Sequence, residues 1–365
     1  MRGNILLLGI CLFLVSCVHE EKHGVETISV DIDKVENLSL FQTYDYIALE
    51  ATDDALLENV VKAKIVGNDI FLLSSYGGDI YHFIKEGKKG KFVHKWSRGN
   101  APGELVLPTD FIVNKEDKTI TILDFYRMLK TYTFDGKLVN ERKIDNPYFS
   151  FCICNGDTLL FDPNLSPKNS CHLSVLNQDG ELSLLSKKEN SKRVGFMPTN
   201  VFVKKNNEEI LLSHMLSDTI YDYSIKKRSI TPVFYVDVNR PSINSVSDIN
   251  FESARDFDEK AMKGNYISGI SGMSCWGDEL FFIIYYQDKF HYISYNMSQK
   301  EVKLYTRLSM ELPNAKYYVN RDDESLTCMY TMEELKKAPI KDEGLKKIVE
   351  NAADDDNPIL VIFKH

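Results

Sequence analysis

The sequence has 365 residues, of which 43% are hydrophobic and 27% charged, so the chain can bury a large core and is not disordered by composition. Its 53 acidic and 44 basic residues give a net charge of −9, which argues against a surface that binds nucleic-acid phosphates. The 19 tyrosines and 20 phenylalanines favour β-structure over a helical bundle. We therefore expect a folded β-protein without a nucleic-acid partner.

The N-terminus is predicted to be a secretory signal. Arg2 precedes an apolar run from Ile5 to Val15, which is too short to span a bilayer as a permanent anchor. The run ends in Ser16-Cys17 and resembles a bacterial lipobox, in which the thiol is acylated and the peptide before it is removed. An uncleaved anchor and an ordinary secretory signal are the alternatives.

This interpretation divides the chain into three parts. Residues 1–16 are a lipoprotein signal peptide, residues 17–27 a lipid-anchored tether and residues 28–365 the folded domain. Glu20-Glu21, close behind Cys17, resemble the tag that sends Bacteroidetes lipoproteins outward, although a plain solvated linker fits equally well. The expected location is the bacterial outer membrane, facing either the periplasm or the cell surface.

The cysteines do not form a disulfide framework. Five remain after Cys11 and Cys17 are set aside, at irregular spacing. Cys152 and Cys154 are two residues apart in a predicted strand, which puts both sulfurs on one sheet face. Buried, unreactive thiols are favoured over a metal or redox pair.

A four-stranded unit is clearest between residues 110 and 144. Its strands are predicted at 110–113, 119–124, 128–134 and 137–144, and Asp135-Gly136 supplies a strong hairpin turn. The same pattern is found at 61–95, 149–185, 201–236 and 270–308. Four-stranded sheets repeated every 40 to 50 residues or so predict a β-propeller, because one sheet cannot bury both of its faces alone.

Strand-like segments also remain at both ends of the chain. They lie at 28–32 and 44–49 before the first unit, and at 317–319 and 359–363 after the last. Together they predict a sixth, closing blade built from both termini, which removes exposed sheet edges. Short helices are predicted at 331–337, with a Thr-x-x-Glu capping box, and at 343–353.

The connector Trp96-Ser97-Arg98-Gly99-Asn100-Ala101-Pro102-Gly103-Glu104-Leu105 and the unit that follows resemble an NHL repeat. The chain as a whole, with Tyr46-Ile47-Ala48-Leu49-Glu50 near its start and residues 357–364 near its end, is similar to the six-bladed β-propeller lipoproteins of gut Bacteroidetes. The resemblance implies an all-β, six-bladed propeller of four-stranded antiparallel blades. Only one unit keeps the NHL pattern well.

In a propeller, the connectors between blades and the loops between second and third strands share one face, here called the rim. Loops 75–79, 98–104, 124–127, 163–170, 214–218 and 285–288 are predicted on it, as is the long insertion 240–266. The candidate ligand-binding residues are Arg98, Glu104, Asp124, Tyr126, Arg127, His214, Asp256 and Tyr285. The alternative is that these side chains only pack between blades.

Catalytic motifs are absent from the sequence. It contains no nucleophile elbow, no His-Glu-x-x-His, no phosphate-binding loop, and no histidines at metal-ligand spacing. We therefore expect a binding or scaffold protein without a catalytic site or cofactor, which meets the membrane through its lipid and presents the rim to a glycan, a peptide or an envelope protein. The alternative is a metal-assisted hydrolase or lyase that uses channel carboxylates and a divalent cation such as calcium.

Overall fold

The fold was analysed in a computed structural model. It describes residues 25–35, 39–57, 59–75, 78–162, 171–187, 201–206, 208–213, 217–243, 259, 264–287, 289–315, 317–322 and 325–364. Within these ranges, no helix has both the length and the apolar character needed to cross a membrane. Cys17, His214 and Asp256 lie outside the described residues.

Strands make up most of the described chain. They are β1 (Glu26–Val30), β2 (Tyr44–Leu49), β3 (Val60–Val66), β4 (Asp69–Ser74), β5 (Ile80–Glu86), β6 (Lys89–Trp96), β7 (Pro108–Asn114), β8 (Thr119–Asp124), β9 (Met128–Thr133), β10 (Leu138–Lys143), β11 (Ser150–Cys154), β12 (Asp157–Phe161), β13 (Cys171–Leu176), β14 (Leu182–Lys187), β15 (Phe202–Lys204), β16 (Glu209–Leu212), β17 (Thr219–Ser224), β18 (Ser229–Val238), β19 (Ile270–Trp276), β20 (Glu279–Tyr286), β21 (Lys289–Asn296), β22 (Glu301–Tyr305), β23 (Tyr317–Asp322), β24 (Ser325–Tyr330) and β25 (Ile359–Lys364).

Two short helices lie between the last two strands. They are α1 (Met332–Lys336) and α2 (Glu343–Asn351). Thr331 and Glu334 form the predicted capping box at α1, and Asp342 caps α2 by accepting from Leu345 N. Buried Leu335 and Leu345 pack both helices onto one apolar cluster. Both sequence-predicted helices are therefore present.

The described strands form five sheets. The sheets β7–β10, β11–β14 and β19–β22 each contain four antiparallel strands, and β15–β18 is a fourth such set with β1 added at its edge. The fifth sheet has eight strands in the order β23-β24-β25-β2-β6-β5-β4-β3. Because four blade-sized sheets stand alone and the fifth is one hydrogen-bonded unit, the sheet count does not confirm the predicted six blades.

Hairpin turns shape these sheets as the sequence predicts. Gly136, in the turn between β9 and β10, has φ +88°, and Gly180, between β13 and β14, has φ +94°. Both conformations favour glycine, which has no Cβ to clash with the backbone. Asp135-Gly136 was the sequence signal for the first turn, and Asp179-Gly180 is the same pair of residues in the second.

Inner strands contact one another between neighbouring sheets and between the two ends of the eight-stranded sheet. β3 contacts β7, β7 contacts β11, β15 contacts β19, β19 contacts β23, and β23 contacts β3. Apolar clusters fill the spaces between sheets, for example Phe71 and Ile80 of one sheet with Phe111 and Ile120 of the next. The arrangement is propeller-like, with the core distributed between the sheets.

Strands from both ends of the chain share the eight-stranded sheet. β2 pairs antiparallel with β25, from Tyr44 opposite Phe363 to Ala48 opposite Ile359. β24 pairs with the other side of β25 and was not predicted as a strand. The predicted pairing of strands near the two termini is therefore present.

The segment 28–32 was assigned to the wrong sheet. β1 lies parallel to β18, with Glu26 opposite Phe234 and Val30 opposite Val238, and does not join the closing sheet. Ile28 and Val30 pack into the cluster that β18 shares with β19–β22. An alternating pattern fixes which face of a strand is buried and leaves its partner strand unspecified, which explains the error.

Candidate functional site

Hydrogen bonds tie the predicted rim loops to the predicted rim connectors. Arg98 N, in the connector after β6, donates to Asp79 Oδ1 at 3.1 Å, in the loop between β4 and β5. Ile270 N, at the end of another connector, donates to Ser217 O at 2.9 Å. In these two places, connectors and second-to-third-strand loops lie on the same face, as the propeller arrangement requires.

The connector that begins at Arg98 is a compact loop. Gly99 N donates to Leu105 O at 2.7 Å, and Ala101 N donates to Glu104 Oε2 at 2.8 Å. A Cβ at Gly99 would lie 1.8 Å from Glu104 Oε2, so a larger residue there would displace the Glu104 carboxylate from Ala101 N. The exposed Glu104 thus uses one of its carboxylate oxygens to hold its own loop.

Buried side chains support this loop from below. Tyr132 OH donates to Gly103 O at 2.6 Å, and Lys130 Nζ donates to Glu104 O. Burial, with Glu141 nearby, raises the pKa of Tyr132 above its usual value, so the hydroxyl stays protonated even in alkaline solution. The connector is therefore preorganised by the sheet beneath it.

Asp124 ends β8 and is 1% exposed. Its carboxylate accepts from Val106 N at 2.7 Å, Tyr126 N at 3.0 Å and Leu107 N at 3.2 Å. A carboxylate that accepts several backbone N–H groups is a strong local anchor. Asp124 joins the connector to the loop that carries Tyr126.

That loop presents two large side chains to solvent. Tyr126 is 63% exposed, the most exposed large hydrophobic side chain among the described residues. Arg127 follows with φ +68°, and its Nη1 lies 3.4 Å from Asp145 O. We refer to Arg98, Tyr126 and Arg127, with their supports Glu104 and Asp124, as the Tyr126 site.

Tyr285 lies in a different sheet, near the end of β20. Its ring meets Phe290 edge-on, with centroids 5.0 Å apart. The next residue, Tyr286, lies under the Arg240 guanidinium at 5.7 Å, and Arg240 pairs with Asp33 at 2.5 Å. That pairing lowers the pKa of the Asp33 carboxyl. Tyr285 thus belongs to a second group of rim aromatics, separate in the fold from the Tyr126 site.

A charged cluster on the innermost strands was not predicted. Lys62 Nζ of β3 lies 2.5 Å from Asp110 Oδ1 of β7, while Ser150 Oγ and Phe151 N of β11 donate to Asp110 Oδ2 at 2.6 and 3.0 Å. Asp110 therefore joins three sheets. A lysine and an aspartate at the starts of otherwise apolar inner strands were the available signal, but one sequence does not show that these strands are adjacent.

The cysteine pair confirms the predicted shared sheet face, whereas the predicted burial is only partial, since both side chains are half-buried. Cys152 and Cys154 pack against one apolar cluster, which places both on the same sheet face. Burial raises the pKa of the Cys152 thiol to about 12 and that of Cys154 to about 11. Thiols with such pKa values are poor nucleophiles at neutral pH.

The part of the chain that the structure describes contains no group of three or more His, Cys, Asp or Glu side chains arranged to hold a metal ion. The buried His82 directs Nε2 to Asp69 Oδ1 at 2.7 Å. Its ring lies 5.5 Å from that of His94, measured between centroids. The Tyr126 site offers the exposed ring of Tyr126 and the exposed guanidinium groups of Arg98 and Arg127. These groups can stack on a polar ligand and donate hydrogen bonds to it.

The sheets, their turns and their contacts define a propeller-like, all-β protein. A family model described as a domain of unknown function, DUF4934, matches residues 25–364, and the chain belongs to this family. No functionally curated protein has a significant sequence match to it.

One solved structure shares this fold, and two others match it more weakly. A predicted exported protein of Bacteroides fragilis superposes with a TM-score of 0.75 at 17% identity, over 93% of this chain and 100% of that one. A luciferin-regenerating enzyme matches with a TM-score of 0.48 at 10% identity, over 88% and 96% of the two chains. A streptogramin B lyase matches with a TM-score of 0.45 at 11% identity, over 89% and 95%.

Proposed function

We propose that this protein is a lipid-anchored binding or scaffold protein of the bacterial outer membrane, which presents the rim to a glycan, a peptide or a protein partner. The anchor is the thiol of Cys17, in a lipobox-like sequence behind an apolar run. The description of the similar Bacteroides fragilis protein as exported agrees with passage across the inner membrane. Three acyl chains, typical of this lipoprotein class, anchor a protein more stably than a single chain.

We further propose a six-bladed, NHL-like arrangement. The eight-stranded sheet consists of two runs of four antiparallel strands, β23-β24-β25-β2 and β6-β5-β4-β3. Only two residue pairs, Ala48 with Lys89 and Leu49 with Gly90, join these runs. Counting each run as one blade gives six units, and the inner-strand contacts connect five of the six junctions between them.

The presentation of Tyr126 is the observation that carries the binding role. The ring is 63% exposed, while the loop beneath it is fixed by the buried Asp124. An exposed aromatic side chain on a rigid loop loses little conformational entropy on binding. Arg127, the next residue, and Arg98, in the connector after β6, supply donors to hydroxyl, carbonyl or carboxylate groups.

A thermal-shift screen of the chain without its signal peptide tests this proposal. The probes are host and plant oligosaccharides, peptides and divalent cations including calcium. A ligand at a hundred times its Kd adds about 2.7 kcal/mol to the free energy of unfolding and raises the Tm. A shift with an oligosaccharide or peptide that is lost in Tyr126→Ala supports binding at the rim.

Tyr285→Ala is the matched control, because it removes a rim tyrosine from the second group. Equal loss of the shift in both variants would contradict a site centred on Tyr126. A shift that requires calcium would favour the metal-assisted hydrolase or lyase. Membrane attachment is tested separately, since Cys17→Ala should release the full chain from membranes.

A further inference from the structure

The direction of β1 shows where the chain enters the fold. β1 runs parallel to β18, and β18 leads into the connector that begins at Arg240. At the end of β1, Asn239 N donates to Val30 O at 3.2 Å. The C-terminal end of β1 therefore lies at the rim end of its sheet.

The start of β1 lies at the other end. Glu26 Oε2 is 3.4 Å from Lys300 Nζ, and Tyr295 OH donates to Glu26. Lys300 belongs to the hairpin between β21 and β22, whereas the loop of that sheet predicted on the rim joins β20 to β21. We call the end of the sheets that carries the β21–β22 hairpin the turn face. The chain enters at the turn face.

The length of the segment before β1 limits how far a lipid anchor on Cys17 could lie from the turn face. β21 has eight residues, so the turn face and the rim are about 26 Å apart at about 3.3 Å per residue. The tether from Cys17 to Val25 also spans eight residue steps, with a maximum reach of about 29 Å. A tether that ran back along the sheet to the rim would therefore use almost its entire length.

We propose that the turn face lies against the bilayer that carries the anchor and that the rim points away from it. This inference rests on the proposed lipid anchor. The Tyr126 site is then the membrane-distal surface, accessible to a polymer or protein that could not enter the space next to lipid headgroups. The partner of the turn face is the lipid surface itself.

Energy transfer to labelled lipids measures this orientation. A donor dye is attached through an azide-bearing phenylalanine analogue in place of Gln299, in the turn-face hairpin, or in place of Tyr126, on the rim. Both positions are exposed. The lipidated chain is placed in phosphatidylethanolamine and phosphatidylglycerol vesicles with an acceptor on the headgroups. Because the two positions differ in height by about 26 Å, we expect at least about two-fold more transfer from position 299 than from position 126. Equal or reversed transfer would overturn the proposed orientation.

A second arm separates this orientation from lipidation itself. The chain from Cys17 onward carries an N-terminal histidine tag and is held on nickel-chelating lipids, with the same two donor positions. If position 299 still shows greater transfer in this arm, and the untagged chain fails to float with vesicles, then the proposed lipid anchor is wrong and the proposed orientation is retained. Equal transfer in the tagged arm would remove the orientation whether or not Cys17 is acylated.

Discussion

The four strands β3–β6 adjoin the strands on their two sides in different ways. On one side, β6 pairs with β2 through the main chain, where Ala48 N donates to Lys88 O at 2.9 Å and Glu50 N donates to Gly90 O at 2.8 Å. On the other side, the contact with β7–β10 is made by side chains, with Lys62 and Asp110 at the inner edge. The first junction depends on close backbone approach, and the second depends on which side chains are present.

The side-chain junction also contains an aromatic cluster at its outer part. Phe71 stacks on His82 at 4.6 Å between centroids, and His94 meets Trp96 at 4.3 Å. His82 Nδ1, His94 Nε2 and Trp96 Nε1 are buried there without a hydrogen-bond partner. Unpaired buried polar atoms cost free energy. The main-chain junction should therefore be sensitive to added bulk, and the side-chain junction to charge and pH.

The largest effect is expected at the charged cluster of the side-chain junction. Asp110→Ala should lower the free energy of unfolding by about 3 kcal/mol, because it leaves the Lys62 ammonium, Ser150 and Phe151 N without their shared acceptor. Urea unfolding measures this change. Asp117→Ala, at an exposed turn residue, is the control and should change little. A loss below about 1 kcal/mol for Asp110→Ala would show that the cluster does not hold the sheets together.

A smaller loss is expected at the main-chain junction. A Cβ at Gly90 would lie 2.8 Å from Leu49 Cδ2 and 3.4 Å from Ile47 Cγ2. Gly90→Val should therefore crowd the buried Leu49 and Ile47 side chains of β2 and lower the free energy of unfolding by about 1–3 kcal/mol. Urea unfolding compares this variant with Gly87→Val. A Cβ at Gly87 meets nothing within 4 Å, but the residue has φ +63°, so Gly87→Val tests backbone strain without crowding. If Gly87→Val were destabilised and Gly90→Val were not, crowding between β2 and β6 would be excluded.

The pH dependence of stability distinguishes the two junctions further. Burial and the nearby His82 lower the pKa of His94, and Asp135 partly offsets this effect. In another sheet, burial and the nearby Lys289 lower the pKa of His291. Below the ordinary histidine value of 6.5, the unfolded chain takes up protons that the folded protein resists. Stability should therefore be fully present above that pH and fall as the pH is lowered below it.

His94→Phe should flatten this slope, and His291→Phe should flatten it independently. Urea unfolding at a series of pH values provides the measurement. Gly90→Val should keep the wild-type slope, since the main-chain junction contributes no buried imidazole. A slope unchanged in both histidine variants would assign the loss to carboxyl groups.

The smallest effect on stability is expected on the rim. Tyr126→Ala should change the free energy of unfolding by less than about 0.5 kcal/mol, because the ring is 63% exposed. Thermal and urea unfolding check this. A loss above about 1 kcal/mol would mean that Tyr126 supports the loop and is not simply displayed by it.

The sequence was sufficient for local features of the fold. Asp135-Gly136 predicted its hairpin because turn chemistry is local, and Thr331 with Glu334 predicted the start of α1 for the same reason. The pairing of 44–49 with 359–363 was accessible because leftover strands at both ends need partners.

Other features depend on neighbours that are distant in sequence. β1 joins β18 about 200 residues later, and Lys62 reaches Asp110 and, through it, Ser150. Among the candidate residues, the sequence does not distinguish Asp124, whose carboxylate is buried, from an ordinary loop aspartate. Its role depends on where Val106 N and Leu107 N point, which only the folded chain determines.

β25 completes the backbone hydrogen bonding of the strands on both of its sides. This strand lies between β24 and β2, and it is the last strand described. A polypeptide that stopped before Ile359 would leave Tyr44–Leu49 and Ser325–Tyr330 each with an unsatisfied edge. Such a product offers proteases and other chains two extended segments, whereas a chain that includes β25 hides both. Truncated copies should therefore be removed, and only chains translated through β25 should accumulate.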